Sequence, residues 1–187
     1  MKKEHIASLD FNNAKCDDIS EGGRKFHMGT PQYESLRGIT EAVNFIASVG
    51  EQYAEYFTEQ LRTLTGRRKA VVAGMLAIDE YESALAKKLR MGLRAIPGVK
   101  VWGPAEGQPR TPTVVFTVEG HAPEKVTEAL GAKGINAWHG DFYAVEAVAA
   151  IGLAESGGLI RLGLAPYCTE GDIDRALYTV REVVCGC

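Results

Sequence analysis

One long amphipathic segment divides this sequence into two kinds of pattern. Val71, Met75, Ile78, Tyr81, Leu85, Leu89 and Ile96 recur at intervals of three and four, with one interval of seven. That spacing predicts a single helical face over residues 67–96. Lys87, Lys88 and Arg90 load its C-terminal half, where the helix dipole favours cations. Pro97-Gly98 then ends it.

Upstream the pattern stays helical. Thr30 is a good N-cap and Pro31 suits a first helical position, while Leu36, Ile39, Val43 and Ile46 form one stripe. Gly50 is the expected stop, with a shorter helix from Glu51 to Leu64 closed by Gly66. Residues 1–28 show no periodicity and are expected to form an extended arm. Downstream the period changes. Val99–Trp102 alternates, and Thr113–Val118 is a β-branched and aromatic run. Residues 134–138 and 159–163 are expected to be further strands, separated by helices at 123–130 and 142–151. Thr169 with Asp172 three residues on forms a variant capping box for a last helix carrying Ile173, Leu177, Val180 and Val184.

The fold class is therefore α+β. The strands lie too close together for successive βαβ units, so a small, mostly antiparallel sheet with helices on one face is expected. The long helix leads into it. The expected divisions are an arm at 1–28, a helical segment at 29–66 and an α+β domain at 67–187.

Charge and cysteine content narrow the function. Twenty-one cations stand against 24 anions, for a net charge of −3. The densest basic run is Arg67-Arg68-Lys69, too short to track a phosphate backbone, so nucleic acid is not an expected partner. The longest apolar stretch, 144–154, is interrupted by Glu146 and is too short to span a bilayer; no membrane partner is expected. No apolar segment follows the charged start, so no secretory signal is expected. The 4 cysteines, at positions 16, 168, 185 and 187, do not form a disulfide framework, which points to a cytoplasmic location.

Few residues stand out as chemistry. Strand alternation turns Arg161 away from Ile160 and Leu162, and Gly163 leaves room beside it. A guanidinium in that position suits a carboxylate or phosphate, the alternative being a surface arginine in a structural ion pair. Gly29 and Thr30 precede a helix start and could hold an anion, or Thr30 could simply be a cap. His139, Asp141 and Tyr143 fall within five residues and offer acid–base groups, or else a turn with a capping aspartate. Cys185 and Cys187 lack a second ligand pair, so no metal site is expected, and Cys168 is expected to be a bystander thiol. No phosphate-binding loop, dinucleotide fingerprint, zinc-protease or serine-hydrolase motif is present.

Taken in order, Phe26-His27-Met28-Gly29-Thr30-Pro31, a long helix ending Ile96-Pro97-Gly98-Val99, the strand at 113–118, Gly134–Gly140 and Gly158–Thr169 form a familiar series. Residues 24–184 resemble the C-terminal portion of the class V aminotransferases, pyridoxal-phosphate enzymes, and within them the cysteine-desulfurase-like branch. The resemblance implies the small domain of a fold-type I enzyme. It implies that Gly29 and Thr30 bind the cofactor phosphate across a homodimer, and that Arg161 grips the α-carboxylate of an amino-acid substrate.

The sequence also departs from that family. The Schiff-base lysine lies on a large domain well upstream of the Gly-Thr pair, and only 28 residues precede Gly29 here. Where the desulfurase cysteine would fall stands His139-Gly140-Asp141-Phe142-Tyr143, and His27 replaces a common acidic residue. Cys168 takes the place of an asparagine and is not an equivalent nucleophile. No catalytic residue is assigned within the chain. The expectation is a C-terminal domain that is inactive by itself and does not bind pyridoxal phosphate covalently. The alternative is a non-catalytic dimerisation or small-ligand module.

Overall fold

The computed structural model describes residues 30–186, together with Glu4 and Ser8. The expected arm, Gly29 and Cys187 thus fall outside the described residues, apart from those two positions.

Helix α1 spans Tyr33–Tyr53, and a 3₁₀ turn at Ala54–Phe57 carries the chain back toward helix α2, Gly66–Arg94. Two expectations are corrected here. Thr30 is an exposed bend and does not cap α1, whose N-cap is Gln32 with no side-chain cap bond. Gly50 does not end the helix. It is buried inside the last turn of α1 where that helix crosses α2, and a Cβ there would fall on the Ala70 carbonyl oxygen. Gly74 makes the reciprocal approach to the Ile46 carbonyl. The expected second helix is accordingly a continuation of α1 followed by the 3₁₀ turn. Phe57 and Leu61 fold back onto Ala73, with Leu64, Val72, Leu76 and Ala77 beside them.

The sheet contains β1 (Val99–Trp102), β2 (Thr113–Val118), β3 (Trp138–Gly140) and β4 (Leu159–Gly163), in the order β1-β2-β4-β3. Every pairing is antiparallel. One face carries Val99, Val101, Val114, Phe116, Val118, Ile160 and Leu162 into the main core. Helix α2 meets that face through Leu85, Leu89 and Leu93, helix α3 (Pro123–Ala132) through Val126 and Leu130. Helix α5 (Glu170–Cys185) lies against α2 and α3 and adds Ile173, Leu177 and Val180. The expected capping box is present: Asp172 N donates to Thr169 Oγ1, and Thr169 N donates to Asp172 Oδ2. Lys88 Nζ ties α2 to the start of α5, 2.9 Å from Glu170 and 2.9 Å from Asp174.

Two downstream elements differ from the sequence expectation. Residues 134–137 are not strand. Gly134, at φ +71°, and Ile135 return hydrogen bonds to Gly131 and Leu130, closing α3 in a Schellman motif that places Ile135 in the core. The strand starts only at Trp138. Helix α4 is just Val145–Ala150, because Phe142 and Tyr143 adopt positive φ and cannot continue a right-handed helix.

The loop between β1 and β2 is held by one carboxylate. Glu106 accepts a two-pronged pair from Arg90, both bonds 3.0 Å, and a third bond of 2.7 Å from Arg94. The Arg90 side chain is only 7% exposed. Hydrogen bonds from Arg90 and then Arg94 lower the Glu106 carboxyl from 4.5 to about 2. A carboxyl depressed on folding stabilises the fold above its ordinary value and loses that contribution as pH falls through the depressed one. Glu106→Gln should therefore be less stable than wild type at pH 7, with the gap closing between pH 4.5 and about 2. Urea unfolding at pH 7 and pH 3 checks this. A gap that is the same at both values would show that Glu106 is not the pinning charge.

Candidate functional site

The helices cover one face of the sheet and leave Lys100, Trp102, Val115, Thr117, Trp138 and Arg161 unburied on the other. The register sets four residues in one row across all four strands: Trp102, Val115, Arg161, Trp138. Neighbouring strands lie about 4.8 Å apart, so Trp138 is one strand spacing from Arg161 and Trp102 two.

Arg161 points as its alternation predicts, opposite Ile160 and Leu162. It is exposed and has no carboxylate partner among the described residues. Its guanidinium carbon lies 4.7 Å from the centre of the Phe142 ring, a cation–π contact. A Cβ added at Gly163 would meet nothing within 4 Å, so the space alongside is open. Lys100 makes the second cation–π contact on this face, 3.6 Å above the Trp102 ring, whose Nε1 donates to Thr117 Oγ1 at 3.1 Å.

The turn that delivers Phe142 is unusual. Phe142 and Tyr143 have φ of 55° and 63°. Ala144 N donates to the Asp141 carbonyl at 2.8 Å, and Tyr143 N donates to Asp141 Oδ1 at 2.9 Å. Positive φ at both central positions is the pattern of a type I′ turn, which normally takes Asn and Gly. Each residue with a Cβ in that region costs roughly 1–2 kcal/mol.

The histidine, aspartate and tyrosine of this segment do not converge. His139 pairs across from Ile160 and so lies on the helix side of the sheet. Its Nδ1 is 2.9 Å from Thr127 Oγ1. That hydroxyl already donates to the Glu124 carbonyl, so His139 must be the donor, which assigns the proton to Nδ1. Asp141 is engaged in the turn, and Tyr143 projects fully into solvent. Cys168 is half-buried against the main core. Its sulfur accepts from Ala165 N at 3.4 Å and its carbonyl accepts from Tyr81 OH at 2.6 Å. Cys185 is exposed at the end of α5. Among the described residues no group of three or more His, Cys, Asp or Glu is placed to hold a metal.

Sequence reasoning missed Phe142 and Trp138 as companions of Arg161. For Trp138 a signal existed, since a large ring that ends a predicted strand just before His139-Gly140 is poorly placed for a core. For Phe142 none did, because nothing in Asp-Phe-Tyr announces a left-handed turn.

An antiparallel four-stranded sheet with helices on one face, reached from a long helix, is the architecture of the small domain of fold-type I pyridoxal-phosphate enzymes. The aminotransferase class-V family matches residues 69–176, and the chain belongs to that family. It is 25% identical over 165 residues to an uncharacterized protein of Mycobacterium tuberculosis, covering 88% of this chain and 38% of that one. It is 29% identical over 162 residues to a probable cysteine desulfurase of Mycolicibacterium paratuberculosis, covering 87% and 19%. Among solved structures, the apo cysteine desulfurase of Thermococcus onnurineus NA1 superposes with a TM-score of 0.54 at 22% identity, over 64% of this chain and 31% of that one. The Escherichia coli cysteine desulfurase CsdA gives 0.51 at 20% identity, over 63% and 29%. The chain thus spans less than two-fifths of the length of each of these proteins, and the similarity lies mainly in their C-terminal regions.

Pyridoxal phosphate needs a lysine for its aldehyde and donors for its phosphate. Of the six described lysines, Lys88, Lys125 and Lys133 pair with carboxylates on the helix side, and Lys100 is stacked on Trp102. Lys69 and Lys87 belong to α2, the helix on the covered face. None stands beside Arg161, so the described residues supply an exposed guanidinium but no lysine placed with it for a complete cofactor site. No helix among them is long and apolar enough to cross a membrane.

Proposed function

We propose that this chain is the C-terminal domain of a class V aminotransferase or cysteine-desulfurase-like pyridoxal-phosphate enzyme that acts on an amino acid, with Arg161 as the anchor for the α-carboxylate. One observation carries the reading: an exposed guanidinium in the middle of the uncovered sheet face, steadied by a ring and, among the described residues, without a carboxylate partner. A structural arginine would have been paired, as Arg90 is with Glu106. A forked donor fixed in this way orients a carboxylate in a plane, which sets the direction of the bonds at the neighbouring carbon.

The rest of the enzyme follows the family resemblance. The Schiff-base lysine comes from a large domain beyond the residues described, in the same polypeptide or another. Gly29 and Thr30 reach the cofactor phosphate of a second subunit in a homodimer. The start of α1 supports such a pairing, since Leu36 is 46% and Ile39 63% exposed along its apolar stripe. A cysteine nucleophile is not part of the proposal, because Tyr143 and its neighbours occupy the turn where one would be needed.

The experiment is a titration of the chain with L-alanine, read at the Arg161 Nε–H in ¹H–¹⁵N spectra. A lone charge-assisted contact is worth about 1.5–3 kcal/mol. Saturable binding is therefore expected at millimolar strength or weaker. Arg161→Ala should abolish it while changing stability by no more than about 0.5 kcal/mol, as for a surface substitution. If Arg161 does not respond, the carboxylate assignment is wrong.

A further inference from the structure

The geometry points to an aromatic side-chain subsite beside Arg161, in which Trp138 receives a flat ring of the ligand and Phe142 is the positioning residue for the guanidinium. This deepens the proposed function and rests on Arg161 being the carboxylate anchor. The ligand class it selects is an α-amino acid with an aromatic side chain.

Three observations converge. Trp138 stands directly opposite Arg161 on the edge strand, and the residue is 65% exposed. Directly opposed side chains have Cβ atoms about 4.5–5.5 Å apart, so a cation and a bare ring present themselves together. Trp102, in the same row, shows what a structural tryptophan looks like on this sheet: covered by Lys100 and hydrogen-bonded to Thr117. Among the described residues Trp138 has neither contact. Finally, the turn holds Phe142 against Arg161 at the cost of two left-handed residues with side chains, where Asn and Gly would have been unstrained. Strain of this kind persists where the surroundings enforce it, and here it delivers a ring to the guanidinium.

The chemistry is complementary on both sides. A carboxylate satisfies the free edge of the guanidinium, whose face is taken by Phe142. An aromatic group one strand spacing away stacks on the indole, whereas a small aliphatic side chain leaves it wet. Phe142 acts through Arg161: losing its ring frees the guanidinium to swing, which weakens every carboxylate regardless of side chain.

The test titrates the 187-residue chain with L-phenylalanine, L-alanine and L-phenylalaninamide, following the Trp138 indole N–H and the Arg161 Nε–H in ¹H–¹⁵N spectra. L-Phenylalanine should shift both signals and bind about tenfold tighter than L-alanine, a difference of 1.4 kcal/mol. L-Alanine should shift Arg161 alone, and the amide neither. Trp138→Ala should reduce L-phenylalanine to the affinity of L-alanine. Phe142→Leu should weaken both amino acids equally and remove the ring-current shift of the Arg161 Nε–H, and Phe142→Tyr should restore both. Equal binding of L-alanine and L-phenylalanine would overturn the subsite while leaving the carboxylate anchor standing. Silence of Arg161 with every probe would overturn the anchor and the subsite with it. A Trp138 signal that moves with protein concentration but not with ligand would also overturn it, because the face would then belong to a second copy of the chain.

Discussion

Gly74→Ala is expected to loosen the pairing of α1 with α2 and to cost roughly 1–3 kcal/mol or more, the range for overpacking a tight contact. A Cβ at Gly74 would fall on the Ile46 carbonyl oxygen, and one at Gly50 on the Ala70 carbonyl, so neither clash can be relieved by turning a side chain. The helices themselves must separate. Because one displacement relieves both clashes, Gly50→Ala with Gly74→Ala should cost clearly less than the sum of the two single variants. Gly38 provides the control. It lies on the same helix α1, and an added Cβ there meets nothing within 4 Å. Gly38→Ala should stabilise by about 0.5–1 kcal/mol through helix propensity alone. Urea midpoints of the four variants and wild type decide the matter. Additive losses at Gly50 and Gly74 would mean that the helices do not move as rigid bodies about a shared crossing.

That crossing shows how much the sequence disclosed. The periodic stripe of α2 identified the longest element within two residues at each end; alternation identified β1, a β-branched and aromatic run β2, and the short strand expected at 159–163 is β4. The capping box at Thr169 was legible because its logic is local: two side chains and two backbone amides within four residues. What was hidden depends on partners distant in sequence. Gly50 has the composition of a helix stop, and only Ala70 approaching from α2 turns it into a contact point. Ile135 lies in a run that suits a strand, yet the Schellman closure of α3 takes it first.

The candidate site divides along the same line. The outward orientation of Arg161 follows from period-two alternation, and the structure places it so. The separation of His139 from Asp141 and Tyr143 does not follow from spacing, because it depends on which residue of a three-residue edge strand faces α3. Arg90 carried a readable signal that went unused. It falls with Ala86, Leu89 and Leu93 on the inner face of α2, and a cation at such a position requires a carboxylate from elsewhere, here Glu106.

Gly158→Ala should have the other large effect, and it acts on the site through the backbone. Gly158 has φ +83°, a left-handed conformation that costs a residue with a Cβ about 1–2 kcal/mol. The added atom would also run into the Gly140 backbone, 2.5 Å from its carbonyl carbon and 2.9 Å from its Cα. The clash adds about 1–3 kcal/mol, for a total near 2–5 kcal/mol. Relief requires β3 to move, because Gly140 is the last residue of that three-residue edge strand and pairs with Leu159. The turn at 141–144 hangs directly from Gly140, so Phe142 would leave the Arg161 guanidinium and Trp138 would lose its place opposite it. Gly158→Ala is thus expected to lower the unfolding midpoint and to change the Trp138 indole signal together, although neither Trp138 nor Arg161 is touched by the substitution. Should the variant stay within about 0.5 kcal/mol of wild type, as an indifferent surface change would, β3 must yield freely. The Gly140–Gly158 contact would then not be what holds the aromatic turn in place.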